Sequence, residues 1–352
     1  MYHRFLQVSM NRKEVYSMDR YQFGSVFAPY MQKFIDTKEA MGFSGKYFEM
    51  IFKEFDLFSI KKQVSTPYIT HSLITRWRET QINVSDKTIY SKYSVISQFS
   101  KYMNRLGFPC YVPRVPKYKR NNYVPYVFTH EQVQSVFAAC DSLTTHSLGN
   151  MDSRLFAMPG ILRLLYSTGM RVSEAASLLN RDVDLDRRLI VVRKTKNQQQ
   201  RLIPVNPSLY QVLKQYLDAR NRLPVKNTNA KDAPFFISPS GLALNQSRVY
   251  AWFRKILKKC GIPHISAGHG PRVHDLRHTC AVHSLMNQVK AGADIYCVLP
   301  ILSVFLGHRN LSGTECYVRL TQEMYPDIIR QVQSISQSLF PSLPNISIEY
   351  EE

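Results

Sequence analysis

The stretch His274-Asp-Leu-Arg277-His278-Thr279 puts a histidine and an arginine three residues apart. That spacing sets both on one face of the helix expected over 275–290. Three further patches lie around it. Upstream, Ser167-Thr-Gly-Met-Arg171-Val-Ser-Glu174-Ala reads as a tight turn into a helix, with Arg171 and Glu174 one turn apart. Lys196 falls in an expected hairpin, five residues before Arg201-Leu-Ile-Pro. Downstream, Leu306-Gly-His308-Arg-Asn is followed by Tyr317, nine residues after His308. Singly, each patch has an ordinary explanation: a buried Arg–Glu pair, a chance H-x-x-R, a core tyrosine, a solvated lysine. Their joint order and spacing carry the information.

The chain around these patches is strongly basic, with 352 residues and a formal net charge of +20. Residues 1–126 hold 20 Lys/Arg against 9 Asp/Glu, and residues 127–352 hold 26 against 17. The excess is therefore not a detachable tail, and a polyanion is the expected partner. A hydrophobic content of 44% excludes global disorder. No run approaches the roughly 18 apolar residues of a membrane span, so no membrane partner is expected. The N-terminal 20 residues lack the apolar segment of a secretory signal. Cys110, Cys140, Cys260, Cys280, Cys297 and Cys316 form no C-x-x-C pair, which argues against a zinc knuckle or disulfide framework and for a reducing, cytoplasmic setting. Cys316, beside Tyr317, reads as a small buried filler.

Hydrophobic periodicity organises the first part into about four helices. One starts near Ser25 and carries Val26, Phe27, Tyr30, Met31, Phe34 and Ile35; a second, capped by Ser44, carries Tyr47, Phe48, Ile51, Phe52 and Phe55. A short one covers His71–Gln81, and Asp86 caps a longer one with Ile89, Tyr90, Tyr93, Ile96, Phe99 and Met103 that stops at Gly107. The aromatics read as core rather than as a base-stacking platform. Between 108 and 126, four prolines with Arg114, Lys117, Lys119 and Arg120 suggest an extended basic linker able to lie along a phosphate backbone. The next segment opens with a capping box, Thr129-His-Glu-Gln132. Helices are expected to about Cys140 and over Leu155–Tyr166, 207–222, 245–260, 275–290, 297–306, 312–320 and 322–338. Leu189–Arg193 and Arg201–Val205 are expected to pair as a hairpin. The fold class is mainly α with a small β-sheet. The expected divisions are an extension over 1–20, a helical domain over 21–107, the linker, a second domain over 127–321 and a C-terminal helix and tail over 322–352.

The four patches together resemble the tyrosine recombinase (phage integrase) family, of the transposon or integrative-element type. T-G-x-R-x-S-E matches Thr168–Glu174, H-x-L-R-H-T matches His274–Thr279, and L-G-H with a tyrosine nine residues on matches Leu306–Tyr317. The stretch from Lys290 to Leu306 is slightly longer than usual. The resemblance implies a core-binding (SAM-like) helical domain and a catalytic domain that clamp double-stranded DNA. It implies Tyr317 as nucleophile, Arg171 and Arg277 as the arginine pair, His274 and His308 as the histidines, Lys196 as the hairpin lysine and Glu174 as acidic support. Lys194, on the same strand face, is an alternative to Lys196.

These residue types suit phosphodiester chemistry. Two guanidinium groups can hold the non-bridging oxygens bidentately while charge develops. The phosphotyrosine ester would conserve the bond energy. His274 would manage the tyrosine proton, Lys196 would protonate the leaving 5′-oxygen, and His308 would donate to the phosphate. No metal and no other cofactor is expected. The implied function is site-specific cutting and rejoining of DNA in integration, excision or transposition, by a homo-oligomer that forms a tetrameric synapse. The alternatives are a type IB topoisomerase-like enzyme and a catalytically silent DNA-binding accessory protein. An apolar tail after Pro341 suggests a C-terminal segment exchanged between protomers.

Overall fold

The aromatic spacing of the first hundred residues builds four helices, seen in a computed structural model that describes residues 21–118, 124–143, 154–193, 200–263, 270–308 and 310–325. They are α1 (Ala28–Ala40), α2 (Gly45–Lys61), α3 (His71–Glu79) and α4 (Asp86–Arg105). Phe34 on α1 meets Phe48, Phe52 and Phe99 edge-on, at centroid distances of 5.6, 5.6 and 5.7 Å. Each such pair adds about 0.5–1.5 kcal/mol beyond area burial. With Phe27, Phe55 and Trp77 these rings form one buried cluster, so the stripe is core, as expected. Tyr47 and Tyr90 depart from it: both are exposed, because they fall at the edge of their stripes.

Caps refine the boundaries. Thr70 accepts from the Leu73 amide at 3.2 Å. Ser85, not Asp86, caps α4, its hydroxyl accepting from the Thr88 amide at 3.3 Å. Asp86 instead places its carboxylate in the first turn, where the helix dipole favours it. The buried Asp56 carboxylate accepts from the Gly24 and Ser25 amides at 3.0 and 2.9 Å, which ties the entering chain to α2. Beyond α4 the chain runs without helix or strand, the Tyr111 amide donating to the Ile69 carbonyl at 2.7 Å. Arg114 and Lys117 are exposed on it. Lys119 and Arg120 lie outside the described residues.

The chain divides into two compact units, Met1–Tyr123 and Val124–Glu352. In the second, both bonds of the Thr129 capping box are made, and α5 (His130–Asp141) follows. The helix expected from Leu155 splits into a 3-10 turn, Arg154–Ala157, and α6 (Met158–Thr168). Pro159 explains the split, since proline suits the first turn of an α-helix and not its interior. Short α7 (Val172–Ala176) leads to a three-stranded antiparallel sheet: β1 (Val183–Asp184), β2 (Leu189–Val192) and β3 (Arg201–Pro204). The hairpin register pairs Ile190 with Ile203 and Val192 with Arg201. Strand β1 has no counterpart in the sequence expectations, because two residues carry no alternation.

α8 (Pro207–Asn221), α9 (Gln246–Lys259), α10 (Asp275–Lys290), α11 (Ile295–Leu306) and α12 (Ser312–Met324) complete the described unit. α11 starts two residues earlier than expected, because Asp294 Oδ1 accepts from the Tyr296 and Cys297 amides at 2.7 and 3.2 Å. No new helix begins at 322: α12 continues through Met324. The tail from 326 onward, and the extension over 1–20, lie outside the described residues. α10 is the central element, packing against α6, α11 and α12. Among the described residues, no helix is long and apolar enough to cross a membrane.

Candidate active site

Two turns and the start of α10 converge on one place. α6 ends at Gly169, in the left-handed region with φ +59°. A Cβ there would stand 2.6 Å from Leu306 Cδ2, so the turn needs glycine for its backbone angle and for the approach of α11. Arg277 of α10 locks the two turns together. Its Nη1 donates to the Gly169 carbonyl at 2.7 Å and its Nη2 to the Leu306 carbonyl at 2.8 Å. Charge-assisted bonds of this kind are worth about 1.5–3 kcal/mol each. Burial first, and Arg171 second, lower the Arg277 pKa to about 10, which still leaves it cationic at neutral pH.

Arg171 stands at the N-terminus of α7. Its amide donates to Glu174 Oε2 at 3.0 Å and its Nη1 to Oε1 at 2.8 Å. Glu174 is itself buried and is held again by Arg201, Nη2 to Oε2 at 2.7 Å and Nη1 to Oε1 at 3.3 Å. Burial alone would raise the Glu174 pKa; the hydrogen bonds and charges of Arg201 and Arg171 outweigh it and hold the carboxyl below its ordinary range. Glu174 therefore holds Arg171 from one side while Arg201 holds Glu174 from the other; in the sequence Arg201 is marked only by its spacing from Lys196.

Tyr317 on α12 is 2% exposed. Its hydroxyl lies 3.1 Å from His278 Nδ1. Burial pushes its pKa up to about 12, against the opposing charge and hydrogen bond of Arg277. His308 stacks on the Tyr317 ring at 6.1 Å and bonds Thr314 Oγ1 through Nδ1 at 2.8 Å. His274 precedes α10 and meets His278 edge-on at 5.0 Å. The ring in contact with the tyrosine hydroxyl is thus His278 rather than His274. His278 is visible in the H-x-L-R-H-T stretch, and its offset of one helical turn from His274 is the signal that places it on the same face.

The histidines share one electrostatic state. Burial, then Arg277 and Arg171, bring His274 down to about 4. Burial, then His274 and Arg277, bring His278 to about 3. Burial, then Arg277, Arg171 and Arg201, bring His308 to about 4. All three are neutral at pH 7, so the fixed positive charge comes from the arginines. Lys196 and its alternative Lys194 lie outside the described residues. Cys316 is exposed, not the buried filler expected; α12 turns its Tyr317 face inward and the adjacent position outward. Among the described residues, no group of three or more His, Cys, Asp or Glu is arranged to hold a metal ion.

Two guanidinium groups, neutral imidazoles and a phenol hydroxyl gathered in one place have the chemistry to stabilise the five-coordinate, trigonal-bipyramidal transition state that forms when an oxygen attacks a phosphodiester. The comparisons agree in class. The chain belongs to the phage integrase family, whose family model matches residues 126–324. It is 32% identical over 243 residues to the tyrosine recombinase XerC of Bacillus pumilus, a match covering 67% of this chain and 72% of that protein. Its fold is similar to the XerH site-specific recombinase bound to difH substrate in a pre-cleavage complex, with a TM-score of 0.58, 19% identity and coverage of 84% of this chain and 83% of that one. It is also similar to a lambda integrase tetramer bound to a Holliday junction, with a TM-score of 0.53, 15% identity and coverage of 87% of each chain. The protein is a tyrosine recombinase, an enzyme of site-specific DNA recombination that cleaves and rejoins DNA.

Proposed function

We propose that Tyr317 is the nucleophile and that Arg171, Lys196, His274, Arg277 and His308 complete the catalytic set, with Glu174 in support. The observation that carries this reading is the placement of the Tyr317 hydroxyl beside His278 and Arg277. His308 stacks on the Tyr317 ring and is itself under the charges of Arg277 and Arg171. Tyr317 Oη attacks the scissile phosphorus, a phosphotyrosine ester to the DNA 3′ end forms, and the bond from phosphorus to the 5′-oxygen breaks. The tyrosine proton leaves toward the histidine pair, where His278 Nδ1 is the nearest acceptor; Lys196 supplies the proton that the 5′-oxygen takes. Arg171 and Arg277 hold the non-bridging oxygens. His308, with Nδ1 engaged by Thr314, offers Nε2 to the same phosphate. Attack by a 5′-hydroxyl from a partner strand reverses the sequence, and no cofactor or metal ion enters it.

In this reading the helical unit over 21–107 binds DNA, the basic segment with Arg114, Lys117, Lys119 and Arg120 lies along phosphates, and four protomers act on two sites. The tail over 322–352 would pass between protomers. The likeness to a tetramer on a Holliday junction supports the assembly. The setting would be the bacterial cytoplasm, on DNA. The test is strand exchange between two labelled copies of a recombination site. Recombinant products that depend on the second site support the proposal; relaxation of supercoiled DNA without exchange would favour the topoisomerase-like alternative.

A further inference from the structure

Glu174 presents an imbalance of charge. Its buried carboxylate takes two side-chain donors from Arg201 and one, Nη1, from Arg171. A lone buried carboxylate next to one arginine would draw both prongs of that guanidinium into a bidentate pair and cancel its charge. Here the fork that faces the carboxylate belongs to Arg201. The Arg201 side chain is itself buried, and its Nε donates to the Phe305 carbonyl at 3.0 Å. It therefore reaches from β3 to the last turn of α11, immediately before Gly307 and His308. Gly307 confirms how closely it lies: a Cβ at that residue would stand 3.0 Å from Arg201 Nη1.

We infer that Arg201 is a positioning residue for the cleavage reaction, neutralising Glu174 so that Arg171 keeps its charge and its remaining N–H groups for the scissile phosphate. This rests on the reading of Arg171 as a phosphate ligand. Arg201 itself touches no reacting atom. It acts through Glu174 on Arg171; its Nε bond to the Phe305 carbonyl anchors the side chain at the end of α11. Without Arg201, Glu174 turns from a support into a competitor for the Arg171 guanidinium. A lysine at 201 keeps the neutralising charge but lacks the planar fork, so it restores part of the effect.

The test is a double-mutant cycle in single-turnover cleavage of a site whose nick traps the covalent product. Arg201→Gln, Arg201→Lys and Arg171→Ala are compared with the double variant Arg201→Gln/Arg171→Ala. DNA binding and thermal unfolding are followed for each. Arg201→Gln is expected to slow cleavage by about 10²-fold, the order of a lost oxyanion donor, while site DNA still binds. Arg201→Lys is expected to fall between it and wild type. In the Arg171→Ala background, Arg201→Gln should change the rate by no more than about twofold, the limit of ordinary additivity. An equal loss in both backgrounds would show that Arg201 acts independently of Arg171 and overturn the inference, as would a wild-type rate for Arg201→Gln. If Arg201→Gln does not fold, Arg201→Lys is scored by the same cycle and the same criteria. A wild-type rate for Arg171→Ala alone would instead remove the reading of Arg171 on which the inference stands.

Discussion

The Tyr317 hydroxyl and His278 Nδ1 lie 3.1 Å apart, joining α12 to α10 across 39 residues of chain. A neutral imidazole at that distance can accept the phenol proton's hydrogen bond and orient Oη. His274 stands one ring further back. If Tyr317 is the nucleophile, this contact makes His278 the first group to meet its proton.

His278→Phe keeps an aromatic ring in the half-buried slot and removes the acceptor. Single-turnover cleavage should drop by about 10²-fold or more, the low end of a lost general acid–base group. Binding of site DNA should be unchanged. Cleavage at the wild-type rate would return the proton to His274.

Arg171→Lys and Arg277→Lys keep the charge and lose the planar fork. Each should cut the cleavage rate on the order of 10²–10³-fold. Affinity for site DNA should barely move, because the phosphates are shared among many basic side chains. Arg277→Lys should also lower stability, since one ammonium cannot reach both the Gly169 and Leu306 carbonyls as the fork does. In the same assay wild-type cleavage should persist in EDTA; loss reversed by magnesium would contradict the metal-free reaction.

Gly169→Ala places a Cβ in a left-handed turn and against Leu306. The backbone penalty alone is about 1–2 kcal/mol. Chemical denaturation should show at least that loss, with cleavage reduced because Arg171 follows two residues later. Unchanged stability would mean the turn relaxes freely.

The histidine shifts set a pH dependence. His274, His278 and His308 are lowered to about 4, 3 and 4 in the folded chain, against an ordinary 6.5. Between those values the unfolded chain binds more protons than the folded one, so acid favours unfolding. Stability should be fully present above pH 6.5 and fall as the pH drops from 6.5 toward 4. His278→Phe should flatten part of that fall in melting curves taken across the range; an unchanged slope would contradict the buried neutral state of His278.

What the sequence made legible was local. The Thr129 capping box, the Gly169 turn, the aromatic core of α1–α4 and the β2–β3 hairpin all follow from neighbours within a few residues. What it hid was made by contacts between distant positions. Arg201 and Glu174 are 27 residues apart, and Tyr317 and His278 are 39 apart. No period or cap announces such pairs. Ser85 replaced Asp86 as a cap for a smaller reason: both residue types cap helices, and only the helix start decides which one is outside it. Cys316 is exposed beside buried Tyr317 because neighbouring residues on a helix point about 100° apart.

In the proposed reaction Tyr317 carries the DNA. The direct measurement is peptide mapping by mass spectrometry of the covalent complex trapped on a nicked site. The expected result is a nucleotide joined through its 3′-phosphate to the peptide containing Tyr317, and no adduct from Tyr317→Phe although that variant still binds the site. An adduct on another residue, or one of normal yield from Tyr317→Phe, would contradict it.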